Sequence, residues 1–343
     1  ETLPPSPPPA PGKCRGPRPP QAATAPAEPA VYHEDEEQET LHPLQRRPSS
    51  IIPEEESRDV FGWERDVQAM YKVASRPVGR GAFGIVRVCE HRETGVSYAL
   101  KSLPKAKDGV TTAHMLQKIR NEVQMLRMIH QSPYVVQLVD VFESDKTVHL
   151  VMELCRGGEL WGQMQKAPGG QLPEDIVKVY MRSCLGMLEE CHARGVLYRD
   201  IKPQNFMLME EEGKVPEPRT LKAIDFGLST MLSGKPLKKR AGTPAYMSPE
   251  VVMQNYGFES DMWSVGHMCF HMLAGRLAFW TDISHQAPAA LWKGIIAFPV
   301  AWDALPEDLS PECLDFLHRI LDKDGKQRLT LAEALAHPWL ASQ

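Results

Sequence analysis

Proline is distributed unevenly along the 343-residue chain, which limits what its first part can fold into. Fourteen of the 30 prolines fall within the first 65 residues, which also carry 12 acidic and seven basic side chains. Proline lacks a backbone N–H and is excluded from helix interiors and central strands. A segment this polar cannot bury enough apolar surface to offset its ordering entropy. We therefore predict that residues 1–65 form an extended or disordered tail that is rich in proline and in acidic residues.

A run of acidic residues follows the proline-rich opening of this tail. Because an extended segment of this kind is ordered only where something holds it, we hypothesise that a partner surface in a larger assembly holds the tail. The acidic run consists of Glu34, Asp35, Glu36, Glu37 and Glu39.

The remaining 278 residues carry balanced charge, with 32 acidic and 32 basic side chains. This balance argues against nucleic-acid binding by bulk charge. No apolar run reaches the roughly 18 to 20 residues that a membrane-spanning helix requires, so we expect no transmembrane segment. The seven cysteines form no CxxC pairs and have no histidines at zinc spacing. We expect free thiols in a reducing intracellular compartment, the cytoplasm first, with an organelle such as the chloroplast as the alternative.

The pattern of apolar residues changes near Tyr71. Short β-branched runs broken by glycines predict a small antiparallel sheet, interrupted by helical spacing over residues 111–130 and resumed over 135–141 and 148–152. After Gly158 the pattern is mostly helical, including residues 175–194, 260–273 and 311–321. The sequence therefore predicts an α+β protein with a β-rich lobe over 66–155 and a helical lobe over 156–343.

Three glycines recur in a short segment of the form GxGxxGxV. Glycines let backbone N–H groups approach phosphate oxygens closely, but they also occur in plain hairpin turns and in dinucleotide-binding folds. A dinucleotide site requires a helix directly after the glycines, whereas strand-like residues follow here, which excludes a dehydrogenase. The segment consists of Gly79, Arg80, Gly81, Ala82, Phe83 and Gly84, followed by Val86.

Two downstream segments give meaning to residues that are unremarkable alone, such as Lys101 at a strand end and Glu122 on the next helix. They are residues 198–205 (YRDIKPQN) and 225–227 (DFG). In order and approximate spacing they resemble the HRDxKPxN and DFG motifs of the eukaryotic protein kinases, in the serine/threonine form. The resemblance implies the two-lobed kinase fold, with a small antiparallel sheet and one main helix in the first lobe and a larger, mainly helical second lobe.

The resemblance also implies Mg²⁺ and ATP as cofactors and gives roles to charged residues. Lys101, oriented by Glu122, would contact the α- and β-phosphates. Asp200 would accept the proton of a substrate hydroxyl or align that hydroxyl, and Lys202 would stabilise charge on the transferred phosphoryl group. The two metal ligands would be Asn205 and Asp225, since hard cations prefer oxygen.

The ATP site implied by the resemblance extends over both lobes. Val86, Ala99 and Met207 would enclose the adenine ring, and the stretch from Glu153 to Cys155 would bind it through backbone atoms. Glu159 would bind either the ATP ribose or an arginine of a substrate. The full predicted set is Gly79, Arg80, Gly81, Ala82, Phe83, Gly84, Val86, Ala99, Lys101, Glu153, Cys155, Glu159 and Met207.

Within the kinases, the chain resembles the catalytic domain of the calcium-dependent protein kinases, in the calcium/calmodulin-dependent group, over about residues 71–340. Tyr198 stands where histidine is usual and is expected to pack against Phe226. Residues 322–325 are too short for a calcium loop, so we expect no direct calcium control from them. The segments that carry this resemblance are 148–155 (VHLVMELC), 157–160 (GGEL), 221–229 (LKAIDFGLS) and 337–340 (HPWL).

Three further roles implied by the resemblance are structural. Residues 242–250 (GTPAYMSPE) resemble the substrate-docking loop of the family, in which Glu250 would pair with Arg328. Asp261 would anchor the catalytic loop from its helix.

Two features bear on regulation. Residues 235–241 (KPLKKRA) hold no hydroxyl group, so we hypothesise that activation does not use a phosphate there. The remaining candidates for phosphorylation in this loop are Ser229, Thr230 and Ser233. In the tail, Ser49 and Ser50 each lie three residues after an arginine, a pattern that is typical of the target of a basophilic kinase. This pattern indicates either autophosphorylation or pseudosubstrate binding.

The sequence thus predicts a serine/threonine kinase that transfers phosphate from Mg-ATP to protein substrates, with a preference for basic sequences. The alternative is a catalytically inactive kinase fold that acts as a scaffold in a larger assembly.

Overall fold

A five-stranded antiparallel sheet forms the first lobe of the computed structural model, which describes residues 32–33, 61, 66–81, 84–106, 111–215 and 218–341. Its strand order is β2-β3-β4-β6-β5, and the short helix α1 precedes it. The elements up to this sheet are β1 (Tyr32–His33), α1 (Val67–Met70), β2 (Tyr71–Gly81), β3 (Gly84–His91), β4 (Ser97–Pro104), β5 (Leu138–Glu143) and β6 (Thr147–Met152).

The glycine-rich segment forms the hairpin between β2 and β3. The last pair of this ladder joins Gly81 to Gly84. A β-carbon on Gly84 would lie 2.4 Å from the backbone oxygen of Ser102, so the close approach of β4 requires glycine at this position. The predicted antiparallel hairpin is confirmed, and its tip residues Ala82 and Phe83 lie outside the described residues.

The helix predicted over residues 111–130 is α2 (Ala113–Met128). Thr112 caps it, since its hydroxyl oxygen accepts a hydrogen bond from the backbone N–H of Met115 at 3.2 Å. Its apolar side chains recur at helical spacing and are buried in the core. They include Leu116, Ile119, Val123, Met125 and Leu126.

Helices dominate the second lobe and are organised around α6, in which every residue from Ser260 to Ala274 is buried. A helix that is buried on all sides is expected at the centre of a lobe. The helices predicted over 175–194, 260–273 and 311–321 are α4, α6 and α8. The helices of this lobe are α3 (Leu160–Lys166), α4 (Glu174–Ala193), α5 (Pro249–Val252), α6 (Glu259–Ala274), α7 (Pro288–Ala297), α8 (Pro311–Ile320), α9 (Leu331–Leu335) and α10 (Pro338–Ala341).

Three pairs of very short strands fix the loops between the two lobes. They join β8 to β9, β7 to β10, and β1 to β11, all antiparallel. Val196–Leu197, Leu221–Ala223 and Ala241–Gly242 are buried, so the loops next to them are held in place, which is where rigidly positioned side chains are expected. The strands are β7 (Val196–Leu197), β8 (Phe206–Leu208), β9 (Leu221–Ala223), β10 (Thr230–Met231) and β11 (Ala241–Gly242).

The α+β architecture of two lobes is confirmed, whereas the lobe boundaries 66–155 and 156–343 stay predictions. Apart from Tyr32–His33 and Phe61, the predicted tail lies outside the described residues, as do Ser49 and Ser50. Within the described ranges, no helix is both long and apolar enough to cross a membrane. The cysteines described are free and buried, and burial raises the pKa of Cys155 to about 12.

Candidate active site

Lys101 and Glu122 meet in the first lobe, although they come from different elements. Lys101 lies on β4, where it pairs with Val86 on one side and Leu150 on the other. Its Nζ lies 2.6 Å from Oε1 of Glu122 on α2 and 3.3 Å from Oδ1 of Asp225 in the second lobe. One ammonium group thus links the sheet, the helix and the loop after β9.

The charges in this cluster stabilise one another. Burial alone would lower the pKa of Lys101, but the carboxylates of Asp225 and Glu122 outweigh it, so the pKa is raised and the ammonium stays charged. Burial raises the pKa of Glu122, and the charge of Lys101 opposes that rise. The cluster therefore holds a permanent positive charge that faces Asp225.

Asp200 lies at the centre of a second network, in the loop between β7 and β8. Its Oδ1 accepts a hydrogen bond from the hydroxyl of Thr243 at 2.6 Å, and its Oδ2 accepts one from Nδ2 of Asn205 at 2.8 Å. Lys202 Nζ lies 3.0 Å from Oδ2 of Asp200 and donates to Oγ1 of Thr243 at 2.8 Å. All four side chains are buried, so the carboxylate is held in one orientation before any substrate binds.

Thr243 belongs to this network, and sequence reasoning gave it no role of its own. Its only signal in the sequence is its place in the segment GTPAYMSPE, which resembles the substrate-docking loop of the family. A hydroxyl is the one small group that donates to Asp200 and accepts from Lys202 at once. Thr243 therefore positions two predicted catalytic side chains against each other.

The loop that carries Asp200 is anchored from α6 by Asp261, as expected. Oδ1 of Asp261 accepts a hydrogen bond from the backbone N–H of Arg199 at 2.8 Å. Oδ2 of Asp261 accepts a second one from the backbone N–H of Tyr198 at 2.9 Å. Arg199 has φ of 70°, a left-handed conformation that a side chain disfavours. The two bonds from one buried carboxylate hold this strained turn.

Tyr198 occupies the position where the resembled family usually has histidine. Its ring packs edge-on against Phe226, with the ring centroids 5.1 Å apart. The expected packing is confirmed. Its hydroxyl group finds no hydrogen-bond partner among the residues that the structure describes, so it contributes shape and not proton chemistry.

The two predicted metal ligands come from neighbouring segments, since the backbone N–H of Ile224, the residue before Asp225, donates to the backbone oxygen of Asn205 at 3.0 Å. The amide nitrogen of Asn205 donates to the carboxylate and the backbone oxygen of Asp200, at 2.8 and 2.7 Å, which leaves the amide oxygen for a ligand. Asp225 is partly exposed, and its Oδ1 accepts from the backbone N–H of Gly227 at 2.9 Å. Among the described residues, no cluster of three or more His, Cys, Asp or Glu could hold a metal alone. Two oxygen donors fit Mg²⁺ that takes its other ligands from phosphates and water.

The predicted ATP-binding residues lie on strands of both lobes and on the connection between the lobes. Val86 lies opposite Lys101, and Ala99 lies between Val88 and Met152 in the sheet. Met207 on β8 forms a bridge with Glu159 at the start of α3. Gly79 pairs with Val86, and Arg80 with Ile85, in the glycine-rich hairpin.

The connection between the lobes, Glu153 to Cys155, is fixed by an ion pair that sequence reasoning did not anticipate. Lys222 Nζ on β9 lies 2.7 Å from Oε2 of Glu153, and the backbone N–H of Glu153 donates to Gln137 at 2.9 Å. Cys155 is buried at the end of the connection. The segment predicted to bind adenine is therefore tied to both lobes.

The predicted pair of Glu250 and Arg328 is confirmed. Arg328 Nη1 lies 2.5 Å from Oε1 of Glu250 and Nη2 lies 3.1 Å from Oε2. This bidentate pair fixes the segment after Thr243 to the end of the second lobe.

The hydroxyl groups considered for regulation differ in accessibility. Ser229 is buried and its hydroxyl donates to the backbone oxygen of Tyr198 at 3.2 Å, whereas Ser233 is exposed. The side chain of Arg199 donates to the backbone oxygen of Leu228 at 2.6 Å. Activation without a phosphate on residues 235–241 stays a prediction.

Comparison with known proteins agrees with this geometry. The family model described as protein kinase domain matches residues 72–340. Calcium-dependent protein kinase 7 of Arabidopsis thaliana is 38% identical over 276 residues, covering 80% of this chain and 49% of the relative. Calcium/calmodulin-dependent serine/threonine-protein kinase 1 of Oryza sativa subsp. japonica is 37% identical over 285 residues, covering 82% and 46%.

The chain spans about half the length of these curated relatives. The match of the family model extends over most of the chain and includes each of the charged clusters described above. The chain belongs to the protein kinase family, and it is similar to the serine/threonine catalytic domain of calcium-dependent protein kinases.

Proposed function

We propose that this chain transfers the γ-phosphoryl group of Mg-ATP to serine or threonine hydroxyls of protein substrates. The observation that carries the proposal is the buried network of Asp200, Lys202, Asn205 and Thr243, with hydrogen bonds of 2.6 to 2.8 Å, on the side of the cleft opposite Lys101. Phosphoryl transfer needs mainly positioning and charge stabilisation, and a fixed carboxylate beside a fixed cation supplies both.

Each charged residue has a distinct task in this proposal. Asp200 orients the substrate hydroxyl and accepts its proton as the oxygen attacks phosphorus. Lys202 stabilises the charge that develops on the transferred group. Lys101, held by Glu122, binds the oxygens of the α- and β-phosphates and fixes the nucleotide in the cleft.

Asn205 and Asp225 would hold Mg²⁺ bound with the nucleotide. The ion neutralises phosphate charge when it is bound. Asp225 also approaches Lys101 to 3.3 Å, so the two lobes converge on the same phosphates.

The scaffold alternative has weaker support. Burying a charged group costs free energy unless it is paired, and Lys101, Glu122, Asp200 and Lys202 are all buried at one cleft. A scaffold has no chemical need for four such groups beside the oxygen ligands of Asn205 and Asp225. Only the acidic, proline-rich tail favours the scaffold.

We further propose that arginine side chains in substrates bind at Glu159. A cavity of about 370 Å³ lies beside it and is also lined by Gln163, Lys166 and Glu212. Arg219 also lines the cavity and Lys166 lies 3.2 Å from Glu212, so Glu159 is the carboxylate that the proposal offers to a guanidinium group. Glu159→Gln should therefore reduce the preference for a peptide with arginine three residues before serine over the same peptide with alanine there. Glu190→Gln, which lies on α4 away from this cavity, serves as the control.

The test of the main proposal is phosphate transfer from Mg-ATP to a serine peptide with basic residues, with calcium added or chelated. Transfer by the unaltered chain that is lost in Asp225→Ala and does not respond to calcium is the expected result. Binding of ATP without transfer in the unaltered chain would favour the scaffold instead.

A further inference from the structure

The ion pair of Lys222 with Glu153 joins two walls of the predicted adenine site. Nζ of Lys222 donates to Oε2 of Glu153 at 2.7 Å, and the two side chains are 10% and 23% exposed. Glu153 begins the connection between the lobes, whereas Lys222 lies on β9 opposite Met207 on β8. Met207 is predicted to enclose the adenine ring, and Glu153 to Cys155 to bind it through backbone atoms. The ion pair therefore braces one wall of this site against the other.

Glu153 is also held from the side of the first lobe. Oε2 of Glu153 accepts a second hydrogen bond from the backbone N–H of Gln137 at 3.3 Å, and the backbone N–H of Glu153 donates to the backbone oxygen of Gln137 at 2.9 Å. The side chain of Gln137 donates to the backbone oxygens of Ser132 and Val135, at 2.8 and 3.1 Å. The position of Glu153 is thus set by the segment before β5 and by Lys222 together.

The strand that carries Lys222 is fixed by its own backbone. The backbone N–H of Ala223 donates to Tyr134 at 2.8 Å, and the backbone oxygen of Ala223 accepts from Val136 at 3.0 Å. The ammonium group of Lys222 therefore extends from a strand that is bound on both of its edges, since β8 pairs with its other edge.

Two backbone groups of the connection are open to a ligand. Among the residues that the structure describes, the backbone oxygen of Glu153 and the backbone N–H of Cys155 take part in no hydrogen bond. Adenine carries an amino donor where guanine carries a carbonyl acceptor. A site with a fixed hydrogen-bonding group rejects a ligand that leaves this group unpaired. Selectivity between the two bases therefore depends on how firmly the connection is held.

Stability alone is a weak reason to bury this ion pair. The cost of removing two charges from water offsets most of their attraction, so apolar side chains of similar size would stabilise the fold about as well. Two opposite charges differ from apolar side chains because they must meet at one distance. This difference favours a role in fixing the geometry of the site.

We propose that the ion pair of Lys222 with Glu153 determines the selectivity of the nucleotide site for adenine over guanine, because it fixes the backbone of Glu153 to Cys155 relative to β8. Both are positioning residues, since the proposal gives neither side chain a contact with the nucleotide. The inference rests on the proposed function in that it places ATP in this cleft.

The test compares the affinities of the full chain for Mg-ATP and Mg-GTP, measured by calorimetry, with kcat and KM for phosphate transfer. Lys222→Met removes the cation and keeps the length of the side chain. Glu153→Gln removes the opposite charge and keeps an acceptor for the backbone N–H of Gln137. A third variant exchanges the charges, with Lys222→Glu and Glu153→Lys together. A thermal melt shows that each variant is folded at the temperature of the measurement.

The matched control is Lys105→Met, which removes a similar ion pair from the first lobe. Nζ of Lys105 lies 2.7 Å from Oε1 of Glu143, and both side chains are buried. Glu143 lies opposite Val148, at the end of β6 that is away from the connection. The control therefore reports the loss of a buried cation without a change at the predicted adenine site.

Since a displacement of about 1 Å strongly weakens well-oriented contacts, we expect the preference for ATP over GTP to fall roughly tenfold in Lys222→Met. Glu153→Gln should lose less, and the exchanged pair should recover part of the preference. KM for ATP should rise by a similar factor while kcat stays within about twofold, because the residues assigned to phosphate transfer are unaltered. Lys105→Met should keep the preference of the unaltered chain.

An unchanged preference in Lys222→Met and Glu153→Gln, or an equal loss in Lys105→Met, would overturn the inference. If Lys222→Met does not fold, Glu153→Gln and the exchanged pair decide the outcome. An unaltered chain that binds ATP and GTP equally, or binds neither, would also overturn it.

The calorimetric readout separates this inference from the proposed function. Loss of the preference in the variants of a chain that transfers no phosphate would support the inference while contradicting the proposed function. Equal transfer from ATP and from GTP by the unaltered chain would support the function and contradict the inference.

Discussion

Two buried ion pairs in this protein are alike in charge and differ in what else their cation contacts. Arg328 binds Glu250 and also donates to the backbone oxygens of Glu259 at 2.7 Å and Asp322 at 3.0 Å. Its guanidinium lies 5.1 Å from the ring centroid of Trp263. Lys101 binds Glu122 and faces a second carboxylate, that of Asp225, whose side chain is 27% exposed.

The difference separates a stabilising pair from a functional one. The donors of Arg328 are directed at protein groups, so the pair closes a structural junction. Lys101 lies at a cleft, and its ammonium group also contacts the carboxylate of Asp225, which is accessible to a ligand. A buried pair is therefore a candidate for function where its cation contacts an additional, accessible charge.

The largest expected effect comes from breaking the functional pair. Lys101→Met keeps the length of the side chain and removes its charge, so we expect phosphate transfer to fall at least about 100-fold. The fold should survive, because burial already raises the pKa of Glu122 and the carboxyl takes up a proton once Lys101 is gone, whereas removal of Arg328 also leaves the backbone oxygens of Glu259 and Asp322 without their donor. Steady-state kinetics and a thermal melt check the two parts. Transfer within about tenfold of the unaltered chain would contradict the role given to this pair.

Breaking the structural pair should have the opposite outcome. Arg328→Met leaves Glu250 buried without its partner, and we expect a loss of about 3–5 kcal/mol in the free energy of unfolding. Transfer per folded molecule at low temperature should stay near that of the unaltered chain. Denaturant unfolding measures the loss. A stable Arg328→Met variant with little transfer would remove the distinction between the two pairs.

Two buried histidines that lack an opposite charge make the stability of the fold depend on pH. Burial lowers the pKa of His267 to about 3 and that of His271 to about 4, from the ordinary 6.5. Below pH 6.5 the unfolded chain binds protons at both residues and the folded chain does not, so stability falls as pH drops from 6.5 to 4. Above that range their contribution is complete.

The measurement is the free energy of unfolding between pH 7 and pH 4.5, with a slope of up to about 1.4 kcal/mol per pH unit for each residue. The variant His267→Gln with His271→Asn keeps acceptors near the bonds to Ala278 and Tyr246, which are 3.0 and 2.7 Å long. It should show a shallower slope. An identical slope in both proteins would assign the pH dependence to other groups.

The smallest expected effect concerns Tyr198. Its hydroxyl group is buried without a hydrogen-bond partner in the described part of the chain. Tyr198→Phe should therefore leave transfer unchanged and alter stability by about 1 kcal/mol or less, toward greater stability. A marked loss of transfer in this variant would show that the hydroxyl takes part in the chemistry.

Much of the fold could be predicted from the sequence, because its elements carry strong periodicity and recognisable ends. The hairpin at Gly84 and the helix α2 follow from local patterns. The junctions formed by Asp261, and by Glu250 with Arg328, came from the family resemblance instead of from those patterns. Each joins residues that are distant in sequence, and no spacing rule predicts such a contact.

The contacts that sequence reasoning missed are those that depend on three-dimensional proximity alone. Thr243 stood in a recognised segment, but its bonds to Asp200 and Lys202 required the loops to be in place. The ion pair of Lys222 with Glu153 and the pairing of Tyr32 with Gly242 gave no local signal either.

The most direct test of the central claim compares the unaltered chain with Asp200→Asn. Asparagine retains the size of the side chain and removes the proton-accepting charge, while the nucleotide contacts at Lys101 and Asp225 remain. We expect unchanged affinity for Mg-ATP and a fall in phosphate transfer of at least about 100-fold. Equal transfer by both proteins, or nucleotide binding with no transfer by the unaltered chain, would contradict it.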